Sequence, residues 1–238
     1  MRQIRYQQIS EAIRLRVAGG EFDPSGLLPS EAELGQEYEA SRVTIRKALE
    51  VLRQDGLLDS RQGFGWMVAV APVRQPLSAL TTIEAQLRAS GRQPERRIIE
   101  FSFKDAADAS LPAVAKLGDR VLEVKRVNLA DGEPFARVSV WCRDDLGAEL
   151  SRKQVAEHSF YELLPIALAG ATQTIGAAVV EADDAALLGV PLGSAVLSVE
   201  RTTFDADGAA VLVAQHIFPA HLTQFVVDLP LEEMIVGE

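Results

Sequence analysis

The sequence predicts an α+β protein of two domains, a small helical domain that ends in a β hairpin and a larger one built on an antiparallel sheet. Three observations carry this. A capped amphipathic helix over 41–56 is followed at once by two short strands around a glycine turn. A ten-residue stretch recurs, LGDRVLEVKR at 117–126 and LGSAVLSVER at 192–201, identical at six of ten positions. Between these features, Ala71-Pro72-Val73-Arg74-Gln75-Pro76 has two prolines and no periodicity, which marks a linker at 71–76 between domains 1–70 and 77–238.

Bulk properties narrow the classes. With 238 residues, 47% of them hydrophobic, the chain has enough apolar surface for packed cores. No apolar run approaches the ~20 residues that span a bilayer. The N-terminal MRQIRYQQISEAIRLRV is amphipathic and lacks the unbroken apolar core of a signal peptide, so a cytoplasmic chain is expected. A single cysteine, Cys142, excludes an internal disulfide and a cysteine metal cluster, and three scattered histidines give no metal-ligand spacing. No cofactor is expected. The net charge is −10, but residues 1–70 hold nine Lys and Arg against ten Asp and Glu, leaving −9 in the remainder. The acid sits in the second half, and phosphate binding depends on local cations rather than on the chain total.

The first helix runs from about Tyr6 to Ala18, with Ile9, Ala12, Ile13 and Val17 on one face, and Gly19-Gly20 ends it. Ser30-Glu31-Ala32-Glu33 has the S-x-x-E form of a capping box and starts a second helix, with Leu34 and Tyr38 turned inward. After a turn at Glu39-Ala40, Ser41 caps a third helix. Ile45, Ala48, Leu49 and Leu52 form its buried stripe, Arg42, Arg46 and Lys47 lie off that stripe, and Gly56 closes it. A short helix with arginines on its exposed N-terminal half has the form of a helix-turn-helix recognition helix. It also has the form of a solvated face, and the following hairpin (57–60 and 66–70 around Arg61-Gln62-Gly63-Phe64-Gly65) favours the DNA reading.

LPSEAEL (28–34), SRVTIRKALEVLRQDGLL (41–58) and RQGFGWMV (61–68) together resemble the winged helix-turn-helix of the GntR family of bacterial transcription regulators, over about residues 3–70. The resemblance implies that Ser41, Arg42, Thr44 and Arg46 meet phosphates and base edges in a major groove. It implies that Gln62 and Gly63 bring the wing tip into the neighbouring minor groove. Ser30, Lys47 and Arg61 complete the DNA-contact candidates, Ser30 also serving as a helix cap and Lys47 reading equally as a solvated side chain. Many relatives carry an arginine where this chain has Glu33, so that contact is expected to be absent and more of the grip to fall on Arg46 and the wing.

In the second half each repeat copy is preceded by a strand and a short Ala-rich helix (97–103 with 108–117, and 175–181 with 183–188) and followed by a turn and another strand (134–141 and 210–218). The unit is a duplicated β-α-β-β, expected to form one antiparallel sheet with a ligand-sized cleft at its pseudo-twofold axis. LTTIEAQLRASG (80–91), KRVNLADGEPFA (125–136), SFYELL (159–164) and the repeated hairpin resemble the UTRA effector-binding domain of the HutC subfamily, over about residues 76–230. That domain shares its fold with chorismate lyase and is used for sensing. Thr81 and Thr82 open one helix and Ser159 another, and helix starts bearing hydroxyls favour anions. Arg126 adds a guanidinium fork, or takes part in a structural ion pair with the acidic residues that flank it. In relatives that bind phosphorylated amino sugars, the positions of Thr81, Thr82, Arg126 and Ser159 hold the phosphate. A second family arginine is Asn128 here and a sugar-binding glutamate is Val138, so the resemblance implies an anionic effector without specifying an amino sugar. Tyr161 reads as pocket lining or core, and His216 as a pocket donor or a satisfied buried histidine. Thr81, Thr82 and Ser159 also read as plain caps, the more frequent use of such residues, and Arg201, the repeat mate of Arg126, reads as structural.

The expected function is a ligand-responsive regulator, a repressor that binds an inverted-repeat operator as a homodimer and carries a small anionic metabolite in its C-terminal domain. A lyase-like enzyme fused to a DNA-binding module and an architectural DNA binder that senses nothing are the alternatives. Against the enzyme, the second half has no Ser/His/Asp order, no metal cluster and no nucleotide-binding glycine motif.

Overall fold

The computed structural model describes residues 5–22, 26–61, 65–69, 72–78 and 80–229, which form two compact units divided after Ala71. The first unit holds α1 (Arg5–Ala18), α2 (Glu31–Glu37), α3 (Arg42–Gln54), β1 (Leu58–Arg61) and β2 (Gly65–Val68). The apolar stripe of α3 is its centre. Ile45, Ala48, Leu49 and Leu52 are fully buried against Ile9 and Ile13 of α1 and Leu34 of α2. Both ends of α3 are built as the spacing predicts. The Thr44 N–H donates to Ser41 Oγ (3.2 Å). Gly56 at φ +72 lets Leu57 N–H reach Leu52 O and its own N–H reach Arg53 O, a Schellman closure. The Ser30–Glu33 capping box of α2 forms reciprocally. Glu39, in the turn between α2 and α3, is held at φ +48, a conformation that disfavours any side chain with a Cβ. β1 and β2 pair antiparallel from Leu58↔Val68 to Arg61↔Gly65. Gln62 and Gly63 at the wing tip lie outside the described residues.

The second unit begins earlier than the sequence suggests. Residues 73–76, expected as linker, form β3 (Val73–Pro76), which runs parallel to β10 (Thr223–Val226). Val73 and Gln75 turn inward and are buried, and Gln75 Nε2 donates to Thr223 Oγ1 (3.3 Å). Alternation over only four residues beside two prolines was too short to register as periodicity. Next come α4 (Ile83–Ala89), β4 (Pro94–Asp105), β5 (Arg120–Ala130), β6 (Glu133–Arg143), α5 (Asp144–Gly147), α6 (Arg152–Glu157), α7 (Phe160–Leu163), β7 (Leu168–Val179), α8 (Ala182–Leu188), β8 (Ala195–Asp205) and β9 (Ala210–Pro219). The helix expected over 108–117 is replaced by two 3-10 turns, Ala106–Asp108 and Pro112–Leu117, because Pro112 cannot continue a helix begun before it.

The sheet order is β4-β5-β6-β9-β8-β7, antiparallel throughout, a palindrome of the two repeat copies. Ser139 and Gln215 pair directly across the central strands. They are also equivalent in the duplication, so the pseudo-twofold axis passes between them. One face is covered near the turns by Leu111, Val114 and Leu117 and on the other half by Ala185 and Leu188 of α8. The opposite face carries the main core, under α4, α6, α7 and the β3–β10 pair.

Candidate functional site

The exposed face of α3 is the first candidate surface. Side chains at 42, 43, 46 and 47 fall outside the buried stripe, and Val43 is 79% exposed. Their partners differ from the simple expectation. Arg46 does not lie free on the helix face. Its Nε and Nη2 donate to the two oxygens of Glu31 at 2.9 and 2.7 Å, and Trp66 Nε1 of the wing donates to the same carboxylate (3.3 Å). The Arg46 hydrogen bond holds the Glu31 carboxyl below its usual range. Glu31 thus links α2, α3 and the wing. Sequence reasoning missed it because its partner is fifteen residues away; the signal was a half-apolar Trp whose N–H needed an acceptor. Lys47 places its ammonium 4.4 Å from the Tyr6 ring centroid, a cation–π contact rather than a bare solvated charge. Ser41 and Thr44 hydroxyls share a 2.8 Å hydrogen bond within the cap, and Ser30 is committed to Glu33. Arg53 is held by Glu50. Among the described residues, Arg42 and Lys47 are the α3 cations without an ion pair or hydrogen bond, and Lys47 has the Tyr6 ring. Arg61 ends β1, paired with Gly65.

The second candidate site is a cavity on the main-core face of the six-stranded sheet, over the pseudo-twofold axis. Its floor follows from register. Arg126, Val138, His216 and Val199 stand opposite one another across β5, β6, β9 and β8, and therefore project to one face. Arg201 lies two residues beyond Val199 on that face. Thr81, Thr82, Ser159 and Tyr161 supply the roof, and Gln75 of β3 closes one side. The free space is about 50 Å³, room for a few small groups.

Among the described residues, no carboxylate lines the cavity. Arg126, 7% exposed, donates Nε to Asn128 Oδ1 (3.2 Å), while its Nη1 is buried without a partner. Burial pushes its pKa down to about 10, still well above neutrality, so it stays charged. Glu84 is buried just behind the cavity. Its Oε1 accepts from Arg96 Nε and from Asn128 Nδ2, each at 2.5 Å. Burial works against ionisation of Glu84, but the Arg96 hydrogen bond and the charges of Arg126 and Arg96 outweigh it and hold its pKa at about 2. His216 is buried with Nδ1 unpartnered; burial, then the charges of Arg201 and Arg126, push its pKa down to about 3, so it is neutral.

Of the expected ligand residues, Thr81, Thr82, Arg126, Ser159, Tyr161 and His216 come together at the cavity. Asn128 does not line it. The short amide is consumed by Glu84 and Arg126, so it braces the arginine from behind. The hydroxyls are engaged in different ways, Thr81 and Thr82 as acceptors that keep a donor O–H, Ser159 as a donor. Thr81 Oγ1 accepts from Gln86 Nε2 (2.7 Å), Thr82 Oγ1 accepts from Ala85 N–H (3.2 Å), and the Ser159 N–H and hydroxyl both donate to Glu162 Oε2. Arg201, expected to be structural, lines the cavity. Its Nε and Nη2 donate to Gln173 Oε1 and its Nη1 to the Tyr161 hydroxyl (3.2 Å). The repeat was the signal, since the same duplication that places Arg126 on this face must place its mate there.

A model of the bacterial regulatory proteins of the gntR family matches residues 5–68, and a UTRA domain model matches residues 89–223. The transcriptional repressor NagR of Bacillus subtilis is 29% identical over 227 residues, which is 93% of each chain. The HTH-type transcriptional regulator Rv0792c of Mycobacterium tuberculosis is 31% identical over 231 residues, 94% of this chain and 85% of that one. Among solved structures, PhnF from Mycobacterium smegmatis aligns with 94% of this chain and 100% of its own at a TM-score of 0.59 and 22% identity, a shared fold.

Proposed function

Because the chain belongs to the GntR family of bacterial regulators and carries a UTRA domain, we propose that it represses transcription as a homodimer on an inverted-repeat operator and responds to a small anionic metabolite. A ligand-responsive transcription regulator is the family's trade, and the chain is not an enzyme. Repression is the mode that the name of the Bacillus subtilis relative carries.

The observation that carries the anionic effector is the buried Arg126 guanidinium, charged and with an unpaired N–H, in a cavity that no carboxylate among the described residues lines. A buried N–H left without an acceptor is costly, and a ligand oxyanion removes that cost. Effector binding alters DNA affinity only if the effector distinguishes two arrangements of the protein, and the Ser159 hydroxyl, which donates to Glu162, must exchange that partner to donate to an anion.

For DNA, the α3 face presents Arg42 free and Arg46 on a solvent-facing ion pair with Glu31. The Arg46 side chain is 70% exposed, so its guanidinium can be offered to a phosphate or a guanine edge in place of Glu31. A dimer places two such helices on successive half-sites. The sheet offers an edge for that dimer. Its two edge strands are equivalent in the duplication, yet β4 carries six charged residues in twelve and β7 carries none and is exposed along most of its length. Edge strands are ordinarily guarded by charge, so β7 is suited to pair with β7 of a second copy.

The test uses the full chain and DNA that it selects from a random pool. Arg42→Ala and Arg46→Ala should each weaken specific binding about ten-fold or more if they read bases. Unchanged affinity in both removes α3 from the interface. Arg126→Ala should leave DNA binding of the ligand-free protein intact and abolish the effector response. In sedimentation, the Ala171→Lys/Ala177→Lys variant should be monomeric at concentrations where the parent is a dimer; a dimer that persists rules out β7.

A further inference from the structure

The anionic-effector reading leaves Arg201 unused, and the duplication gives it a role. We propose that Arg201 is a second anion anchor of the same cavity, so that the effector is a compact metabolite with two separate negatively charged groups, one held at Arg126 and one at Arg201. The proposal rests on the effector reading above and goes beyond it by naming the class of ligand.

Arg126 and Arg201 are the last residues of the two repeat copies. The pseudo-twofold axis between Ser139 and Gln215 exchanges β5 with β8, and a twofold normal to a sheet keeps each side chain on its own face. The two arginines therefore flank the axis from opposite sides and converge on the cavity that lies over it.

Their environments make both charges available. Arg201 donates Nε and Nη2 to one neutral oxygen, Gln173 Oε1, and Nη1 to another, the Tyr161 hydroxyl. Among the described residues neither arginine forms an ion pair. The nearby carboxylates are committed elsewhere, Glu84 to Arg96 and Glu162 to the Ser159 N–H and hydroxyl. Two like charges thus line the cavity, and a single negative charge at one end leaves the other without an ionic partner. Between them stand neutral groups, His216 with its free Nδ1 and the Tyr161 hydroxyl, suited to the uncharged middle of a ligand. The small free volume restricts that middle to a few atoms. A guanidinium fork at each end matches a carboxylate or a phosphate bidentately.

The experiment is isothermal titration of the full chain with probes that differ only in the second charge: 3-phosphoglycerate against glycerol 3-phosphate, succinate against butyrate, and inorganic phosphate alone. In the parent protein the doubly anionic member of a pair should bind about ten-fold or more tightly. Arg201→Gln should bring each pair within about two-fold while leaving the singly anionic probe unaffected, and Arg201→Lys should restore part of the preference. Arg126→Gln should weaken both members of a pair. A purely structural Arg201 would lower the melting temperature in both Arg201 variants without changing the ratio. That result, or a parent ratio below about two, overturns the two-anchor proposal and leaves the anionic-effector reading standing. Failure of all five probes to bind the parent overturns both.

Discussion

Replacing Glu84 with glutamine removes the charge that lies between Arg96 and Arg126 while keeping the shape. The cost can be worked in two ways. A carboxyl held at about 2 rather than its ordinary 4.5 is favoured in its ionised form by about 3 kcal/mol in the folded state. Removing one partner of a buried, hydrogen-bonded ion pair costs about 3–5 kcal/mol, since the remaining guanidinium stays desolvated. Glu84 and Arg96 side chains are each 7% exposed, so solvent screening gives little relief. The amide oxygen of glutamine retains one acceptor for Arg96 or Asn128, which places the expected loss at about 3 kcal/mol. The assay is urea unfolding followed by Trp141 fluorescence in a Trp66→Phe background, so that only the second unit reports. An anion in the cavity should recover part of the loss, because Arg126 then has another partner. A loss below about 1 kcal/mol would refute the charge assignment, since neither argument admits so small a value.

Other outcomes follow from the same geometry. Glu39→Gly should stabilise the first unit by about 0.5–1 kcal/mol, the left-handed penalty at φ +48 less the entropy that glycine costs. Unfolding monitored at Trp66 in a Trp141→Phe background checks this, and destabilisation would mean that the side chain has a role of its own. The pKa of His216 lies below its unfolded value, so the unfolded chain takes up the proton first and stability falls as pH drops from 6.5 towards 3. The Glu84 contribution is full above 4.5 and is lost only below it, towards 2. Between pH 6 and 5 the slope should therefore reflect His216, at most about 1.4 kcal/mol per pH unit, and His216→Gln should flatten it. A slope unchanged by that substitution would assign it to another group.

The sequence by itself determined the local and the repeated. Ser41, the apolar stripe at 45, 48, 49 and 52, and Gly56 specify a helix and both its ends through contacts within a few residues. The matching decamers specify strand pairing twice over, because a duplicated β-hairpin must place equivalent residues on equivalent strands, and the strand order bears that out. The family was legible for the same reason, through ordered motifs that each form locally.

What the tertiary structure alone decided was who partners whom. Glu31 meets Arg46 and Trp66 across fifteen and thirty-five residues, Asn128 turns to Glu84 instead of the cavity, and residues 73–76 become a strand because Thr223–Val226 lies beside them. Arg201 changed from a structural residue to a cavity residue on register alone. A charged side chain takes its role from the nearest opposite charge or the nearest void, and both are set by segments far away in the chain. The helix caps and the repeat lie in the sequence; the unfilled hydrogen bond of Arg126 and its convergence with Arg201 on one cavity exist only once the sheet has formed.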